Sequence, residues 1–176
     1  MDERGTNREF LSLQRPSVGE AADAEPEPAG TTTGLTMIIK EAVSDAEILA
    51  TFDVMIQLRT HLTREGYVEI INRLRRTNSY HLAALIDGGV VACVAGYRIA
   101  EGLSWRKYLY IDDLITAEQQ RSKNYGKQMM DWLIEEARLN NLDQVHLDSG
   151  TQRHDAHRFY LRERMIIDCF HFSLKL

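Results

Sequence analysis

One stretch, Tyr110 to Lys127, restricts the fold more than any other part of the chain. It reads Tyr-Ile-Asp-Asp-Leu-Ile-Thr-Ala-Glu-Gln-Gln-Arg-Ser-Lys-Asn-Tyr-Gly-Lys. An apolar strand runs into a short polar loop, and a strongly amphipathic helix opens at Gly126. Arg121, Lys123 and Lys127 stand at the junction, and no acidic residue occurs between Gln119 and Met130. A helix N-terminus presents unpaired backbone N–H groups and about half a positive charge, which suits phosphate. The junction therefore reads as a phosphate cradle, in a chain whose net charge is −5.

That net charge gives no support to nucleic acid or an anionic membrane as the main partner. A chain of 176 residues with 44% hydrophobic and 27% charged residues is long enough for one well-packed domain. No apolar run approaches the ~18 residues of a spanning helix. All three prolines, Pro16, Pro26 and Pro28, fall before residue 36, where acids outnumber bases. The Ala-, Glu-, Pro- and Thr-rich run from Gly19 to Gly34 buries too little to offset its ordering entropy. Residues 1–36 are thus expected to be a flexible acidic extension without signal-peptide features, and 37–176 the globular domain. Cys93 and Cys169 belong to no Cys-x-x-Cys pair and read as two buried thiols of a reducing, cytoplasmic compartment.

From Met37 the pattern alternates between strand and helix. Met37 to Val43 reads as a strand, and Ser44-Asp-Ala-Glu47 as a capping box opening a helix with Ile48, Phe52 and Met55 on one face. A second helix follows Thr63, with Tyr67, Ile70, Ile71 and Leu74 in its stripe. Strands His81–Ile86 and Val90–Ala100 flank Asp87-Gly88-Gly89, a hairpin signal. A fourth strand spans about Lys107 to Thr116, and the helix from Gly126 runs to about Asn140. Gln144–Asp148 reads as a strand, His154–Arg164 as a helix and Ile166–Leu176 as a last strand. The pattern predicts an α/β or α+β layered fold with helices flanking a mixed sheet.

Two phosphate-binding patterns are excluded. A Walker loop needs Ser or Thr after Gly-Lys, and Gln128 follows Lys127. A dinucleotide fingerprint needs three glycines after the first strand, whereas this loop has one and follows the fourth. The order of elements resembles the GNAT family of acetyl-CoA-dependent N-acetyltransferases over roughly Met37 to Leu176. The family's strand, Arg/Gln-x-x-Gly-x-Gly/Ala loop and helix are matched by Leu114-Ile115-Thr116 and Arg121-Ser-Lys-Asn124-Tyr-Gly126. Its Ala-x-x-aromatic-Tyr helix is matched by Ala156-His-Arg-Phe159-Tyr160. The resemblance implies a mixed, mostly antiparallel central sheet.

Two positions depart from the family pattern. Asn124 replaces the first loop glycine, and it is the non-glycine residue best suited to left-handed geometry. Arg164 replaces the glycine that closes the last helix, at a cost of about 1 kcal/mol if its φ is positive.

The resemblance implies acetyl transfer from acetyl-CoA to a primary amine of a small molecule or peptide, by direct attack in a ternary complex. Tyr160 is the implied general acid; a phenol of pKa ~10 poised against a thiol of ~8.5 suits protonation of the leaving sulfur. Asp112 and Asp113, adjacent in an apolar strand, are the candidate bases. Simple alternation puts Tyr110, Asp112, Leu114 and Thr116 on one face and Ile111, Asp113 and Ile115 on the other, so one carboxylate is expected to reach the cleft. The alternative is that both pair with arginine. Backbone N–H groups of Leu114, Ile115 and Thr116 would hold the thioester carbonyl. Those of Ser122, Lys123, Asn124, Tyr125, Gly126 and Lys127 would hold the pyrophosphate, with Arg121 on phosphate or capping the loop.

By the same resemblance the acceptor wall lies near Met55 to Arg76, with Leu58, His61 and Tyr67 as substrate-binding candidates. No metal is expected: His154 and His157 are a common chance spacing, and zinc wants three or four converging ligands. Arg73-Leu-Arg75-Arg76 reads as a solvated helix face. A homodimer joined through the last strands is compatible with the pattern. The competing reading is a non-catalytic acyl-CoA-binding or sensory module with the same fold.

Overall fold

The structure, a computed structural model, describes residues 37–176; the acidic extension 1–36 lies outside the described residues. Strand β1 (Ile38–Glu41) leads into helix α1 (Asp45–Ala50) through the expected capping box. Ser44 Oγ accepts from the Glu47 N–H at 3.3 Å, and Glu47 accepts from the Ser44 N–H at 2.9 Å. The helix foreseen after Ser44 is broken at Thr51, whose hydroxyl donates back to the Ile48 carbonyl at 2.7 Å. Helix α2 (Phe52–Met55) follows. Such a back-bond competes with the helical ladder and favours a bend. Helix α3 (Arg64–Asn78) starts at Thr63, whose Oγ1 accepts from the Gly66 N–H.

Strands β2 (Tyr80–Asp87) and β3 (Val90–Gly102) form the foreseen hairpin. Gly88 (φ 60°) and Gly89 (φ 78°) supply the two left-handed residues that a tight hairpin turn needs. Strand β4 (Arg106–Thr116), helix α4 (Tyr125–Leu139), strand β5 (Gln144–Leu147) and helix α5 (His154–Arg162) complete the order. The sheet order is β1-β2-β3-β4-β5, antiparallel except for the parallel β4–β5 pair.

Each face of the sheet has its own core. Helices α1, α2 and α3 cover one face, where Ile48, Met55, Tyr67 and Leu82 are sealed from solvent. Helix α4 covers the other with Met129, Met130, Leu133 and Ala137, and α5 adds Phe159 and Tyr160. Fully burying one such aliphatic side chain stabilises by roughly 1.5–3 kcal/mol.

Two expectations are corrected. Opposite Gly96 and Tyr97 of β3 stand Asp113 and Ile111 of β4, so Asp112 is an extra residue, a β-bulge. A bulge inverts the in–out phase of the strand beyond it. Leu109, Ile111 and Leu114 therefore all pack on the α4 face, whereas Ile115 packs on the α1–α3 face. The expected alternation, with Asp112 and Asp113 on opposite faces, fails for this reason. The last strand, 166–176, is also absent: its apolar residues are exposed and it joins no ladder among the described residues. Alternating sequence alone does not make a strand without an edge to pair with.

Candidate active site

The site begins where β4 and β5 part. β4 stays paired to β3 as far as Thr116, but to β5 only from Tyr108 to Ile111. From Asp112 to Thr116, backbone groups on the β5 side thus have no ladder partner, and Leu114, Ile115 and Thr116 line this opening. Unpaired main-chain groups at such a gap seek an external partner.

Past Thr116 the chain makes a short 3-10 turn (Glu118–Gln120) and then the loop. Ser122 (φ 66°) and Asn124 (φ 65°) both sit in the left-handed region, as foreseen for Asn124 and not for Ser122. The first bond of the helix runs from the Gln128 N–H to the Asn124 carbonyl at 3.1 Å. The N–H groups of Tyr125, Gly126 and Lys127 consequently have no intrahelical acceptor. Asn124 makes no side-chain cap, and the first turn carries no acid. Tyr125 is buried, and its hydroxyl donates to Asp87, pinning the loop to the β2–β3 hairpin. Lys127 is committed to Asp131 at 2.8 Å and to Glu163 of the α5 end at 3.3 Å. Lys123 donates to Gln120 at 2.8 Å, and Arg121 is exposed. The turn therefore presents mainly backbone N–H groups, with Arg121, Lys123 and Lys127 around it.

Tyr160 projects from α5 into the same region. A Cβ built on Gly126 would stand 3.5 Å from Thr116 Oγ1 and 3.7 Å from Phe159 Cζ, so the α5 aromatic pair abuts the helix N-terminus. Tyr160 is half-buried and lines a cavity that opens beyond β5. Burial pushes its pKa above the usual phenol value, and nearby Arg153 works against the shift. Cys93, close by, is buried and its thiol is pushed up to about 11, though Thr116 Oγ1 at 3.5 Å partly offsets the burial. A phenol that stays protonated at neutral pH can donate a proton but cannot serve as a base.

On the opposite face, the bulge delivers both aspartates to one cavity of about 480 Å³. Asp112 accepts two bonds from Arg98, Nε at 2.7 Å and Nη2 at 2.8 Å. Asp113 is buried and accepts from Arg59 Nε at 2.6 Å and from the Tyr80 hydroxyl at 2.8 Å. Arg59 Nη2 also donates to the Asp112 carbonyl at 2.8 Å. Burial, reinforced by Asp113, holds the Tyr80 pKa well above the phenol range. Both carboxylates are thus already paired with arginine.

Tyr67 and His61 line this cavity, and Leu58 is not among the lining residues. Tyr67 is fully buried with its hydroxyl 2.8 Å from Thr51 Oγ1, and burial pushes its pKa up to about 12. Met55, Ile71 and Leu74 add apolar wall. His157 Nε2 lies 2.9 Å from the Gly150 carbonyl, away from this cavity.

Sequence reasoning missed Arg59, Tyr80 and Arg98. One signal was available: Gly96 interrupts an otherwise bulky strand, and an interior glycine often marks a bulge or close approach. A Cβ there would lie 1.7 Å from the Tyr80 hydroxyl oxygen and 2.8 Å from Asp113 Oδ2. Glycine makes room for that hydrogen bond.

Comparison with known proteins agrees with this geometry. The model of the acetyltransferase (GNAT) family matches residues 47–164. The uncharacterized N-acetyltransferase YhdJ of Bacillus subtilis is 35% identical over 122 residues, 69% of this chain and 86% of that protein. An aminoalkylphosphonate N-acetyltransferase of Salmonella typhimurium is 36% identical over 66 residues, covering 38% of this chain and 43% of the relative. Among solved structures, aminoglycoside N-acetyltransferase AAC(6')-Iy in complex with CoA superposes with a TM-score of 0.69. The two share 10% identity, over 80% of this chain and 95% of that one. No helix among the described residues is long and apolar enough to cross a membrane. With a parted β4–β5 pair ending at a bare helix N-terminus, and with these relatives, the chain belongs to the GNAT family of acetyltransferases and is an acyltransferase.

Proposed function

We propose that the chain transfers the acetyl group of acetyl-CoA to a primary amine of a small molecule or peptide, by direct attack within a ternary complex. The observation that carries this reading is the parting of β4 from β5 at Asp112, with the α4 N-terminus at one end and Tyr160 beside it. The N–H groups from Ser122 to Lys127 hold the pyrophosphate, with Arg121 and Lys123 as flanking cations. Backbone N–H groups at Leu114–Thr116 receive the thioester carbonyl and then the oxyanion. The amine nitrogen attacks the carbonyl carbon, the C–S bond breaks, and the sulfur takes the proton of the Tyr160 hydroxyl. The amine proton leaves to water or a carboxylate.

The acceptor occupies the 480 Å³ cavity of the α1–α3 face, where Asp112 and Asp113 favour a cationic amine and Met55, Ile71 and Leu74 contact its hydrocarbon. The aspartates already satisfied by Arg59 and Arg98 suit electrostatic placement of the ammonium better than full proton abstraction. Arg59 and Arg98 give an acceptor's own anionic group a counterion, which makes aminoalkylphosphonates sensible members of an amine panel. The test is free-thiol release from acetyl-CoA with such a panel, in wild type and Tyr160→Phe. Amine-dependent thiol release that collapses in the variant supports the reading. Cofactor binding with no thiol release from any amine overturns it.

A further inference from the structure

The cavity of about 480 Å³ on the α1–α3 face is lined by seven titratable side chains, and six of them are already engaged. Arg59 holds Asp113, and Arg98 holds Asp112. The Tyr80 hydroxyl donates to Asp113 at 2.8 Å, and the Tyr67 hydroxyl lies 2.8 Å from Thr51 Oγ1. The seventh is His61, which is exposed and has no hydrogen-bond or ion-pair partner among the described residues.

An exposed histidine is most often just a solvated loop residue, but the backbone that carries this one is fixed. The connection between α2 and α3 is held against the parted half of β4 at both ends. Gln57 Oε1 accepts from the Glu118 N–H at 2.9 Å, where the strand has given way to the loop. Two residues on, Arg59 grips the other end, with Nη2 on the Asp112 carbonyl at 2.8 Å and Nε on Asp113 at 2.6 Å. The Leu62 N–H then closes a turn on the Arg59 carbonyl at 3.0 Å, and His61 lies inside that turn. Its anchor is therefore the place where β4 leaves β5.

Chemistry separates His61 from the other six. A primary alkylamine reaches the cavity as an ammonium ion, without the lone pair that attack requires. Guanidinium groups accept no proton. Burial pushes the Tyr67 phenol up to about 12 and holds Tyr80 well above the phenol range, so both arrive protonated. Asp112 and Asp113 would have to surrender guanidinium N–H bonds to take a proton. Each of those ion pairs is neutral as a unit, so together they put no net charge on the imidazole. Imidazole is the side chain whose ordinary range spans neutral pH, which suits proton transfer there.

We propose that His61 is the base that takes the first proton from the acceptor's ammonium group. This rests on the function proposed above and puts an imidazole ahead of water or a carboxylate. Two protons leave the nitrogen in each turnover, one before attack and one after. His61 takes the first and, being exposed, passes it to water. The second replaces, through water, the proton that Tyr160 gives to the sulfur. One proton is thus released per amide formed. The acceptor is readied on one face of the sheet before bonds are exchanged on the other.

The test is the pH profile of amine-dependent thiol release for wild type and His61→Gln, with His61→Ala as a second variant. With an alkylamine, wild-type kcat/KM should show an acid limb in the imidazole range. Both variants should lose that limb, keep only the limb of the amine itself, and lose ~10²–10⁴ of the rate at neutral pH. With trifluoroethylamine, already neutral at the assay pH, both should stay within about threefold of wild type, since no ammonium proton has to leave. CoA affinity by calorimetry should hold in both, showing an intact fold. A surviving limb, or equal losses with the two amines, overturns the role of His61 and leaves the transferase reading standing. A wild type that releases no thiol with any amine overturns both.

Discussion

The two faces of the sheet solve different problems. On the α1–α3 face, charge is placed by side chains that are already satisfied: Asp113 holds Arg59 and Tyr80, and Asp112 holds Arg98. On the α4–α5 face, the groups that matter are backbone amides left without partners, plus one phenol kept protonated by burial. A paired network fixes a cavity's shape and potential before any ligand arrives. An unpaired helix end gains most when an anion binds. In the proposed function the first face serves recognition and the second chemistry, and substitutions on each should therefore fail in different ways.

The largest effect should fall on the α5 side. Tyr160→Phe should reduce kcat by ~10²–10⁴ with little change in acceptor KM or in stability, read by thiol release and thermal melting. Because burial raises this phenol, the alkaline loss of activity in wild type should lie above the ordinary phenol range. A variant with full turnover at every pH would dissolve the distinction between the faces.

Gly96→Ala should do the reverse. The new methyl collides with the Tyr80 hydroxyl, so Tyr80 must swing off Asp113, costing roughly 1–3 kcal/mol of stability. Urea denaturation should register that loss, and acceptor KM should rise while CoA affinity, measured by calorimetry, holds. Equal damage to both ligands would mean that the faces are mechanically one unit.

Two smaller effects refine the picture. Arg164, just after α5, has φ 65°, so the foreseen strain is real, and Arg164→Gly should raise stability by about 1 kcal/mol without touching KM for the acceptor. At the far edge, Lys40 foremost, with the Ser44 N–H next, lowers the exposed Glu47 carboxyl from 4.5 to about 2. A folded-state pKa below the unfolded one means its contribution is intact above pH 4.5 and disappears as pH falls toward 2. Glu47→Gln should flatten that part of the stability–pH profile, as followed by acid titration of the melting temperature.

The fold was largely legible because its signals are local. The Ser44–Glu47 capping box, the Gly88-Gly89 turn and the α4 stripe each depend on neighbours within a few residues. The loop-to-helix turn before α4 was legible for the same reason, down to left-handed Asn124. The acceptor-side network was not, because Arg59 and Asp113 are 54 residues apart and meet only through the sheet. The bulge at Asp112 is equally hidden: it sits opposite Gly96 and Tyr97 of β3, more than a dozen residues away, while its effect is a parity change in β4. The tail misled in the other direction: its alternation is genuine, yet it stays exposed and joins no ladder among the described residues.

That parity change makes the fourth strand two half-strands of opposite polarity spliced at one residue. Losing the splice residue would turn Leu114 and Thr116 toward the α1–α3 face and Ile115 toward the α4 layer, swapping linings on both sides at once. Insertions and deletions here are therefore far costlier than point substitutions, and drift in this protein should leave the spacing from Ile111 to Thr116 untouched while the side chains around it vary.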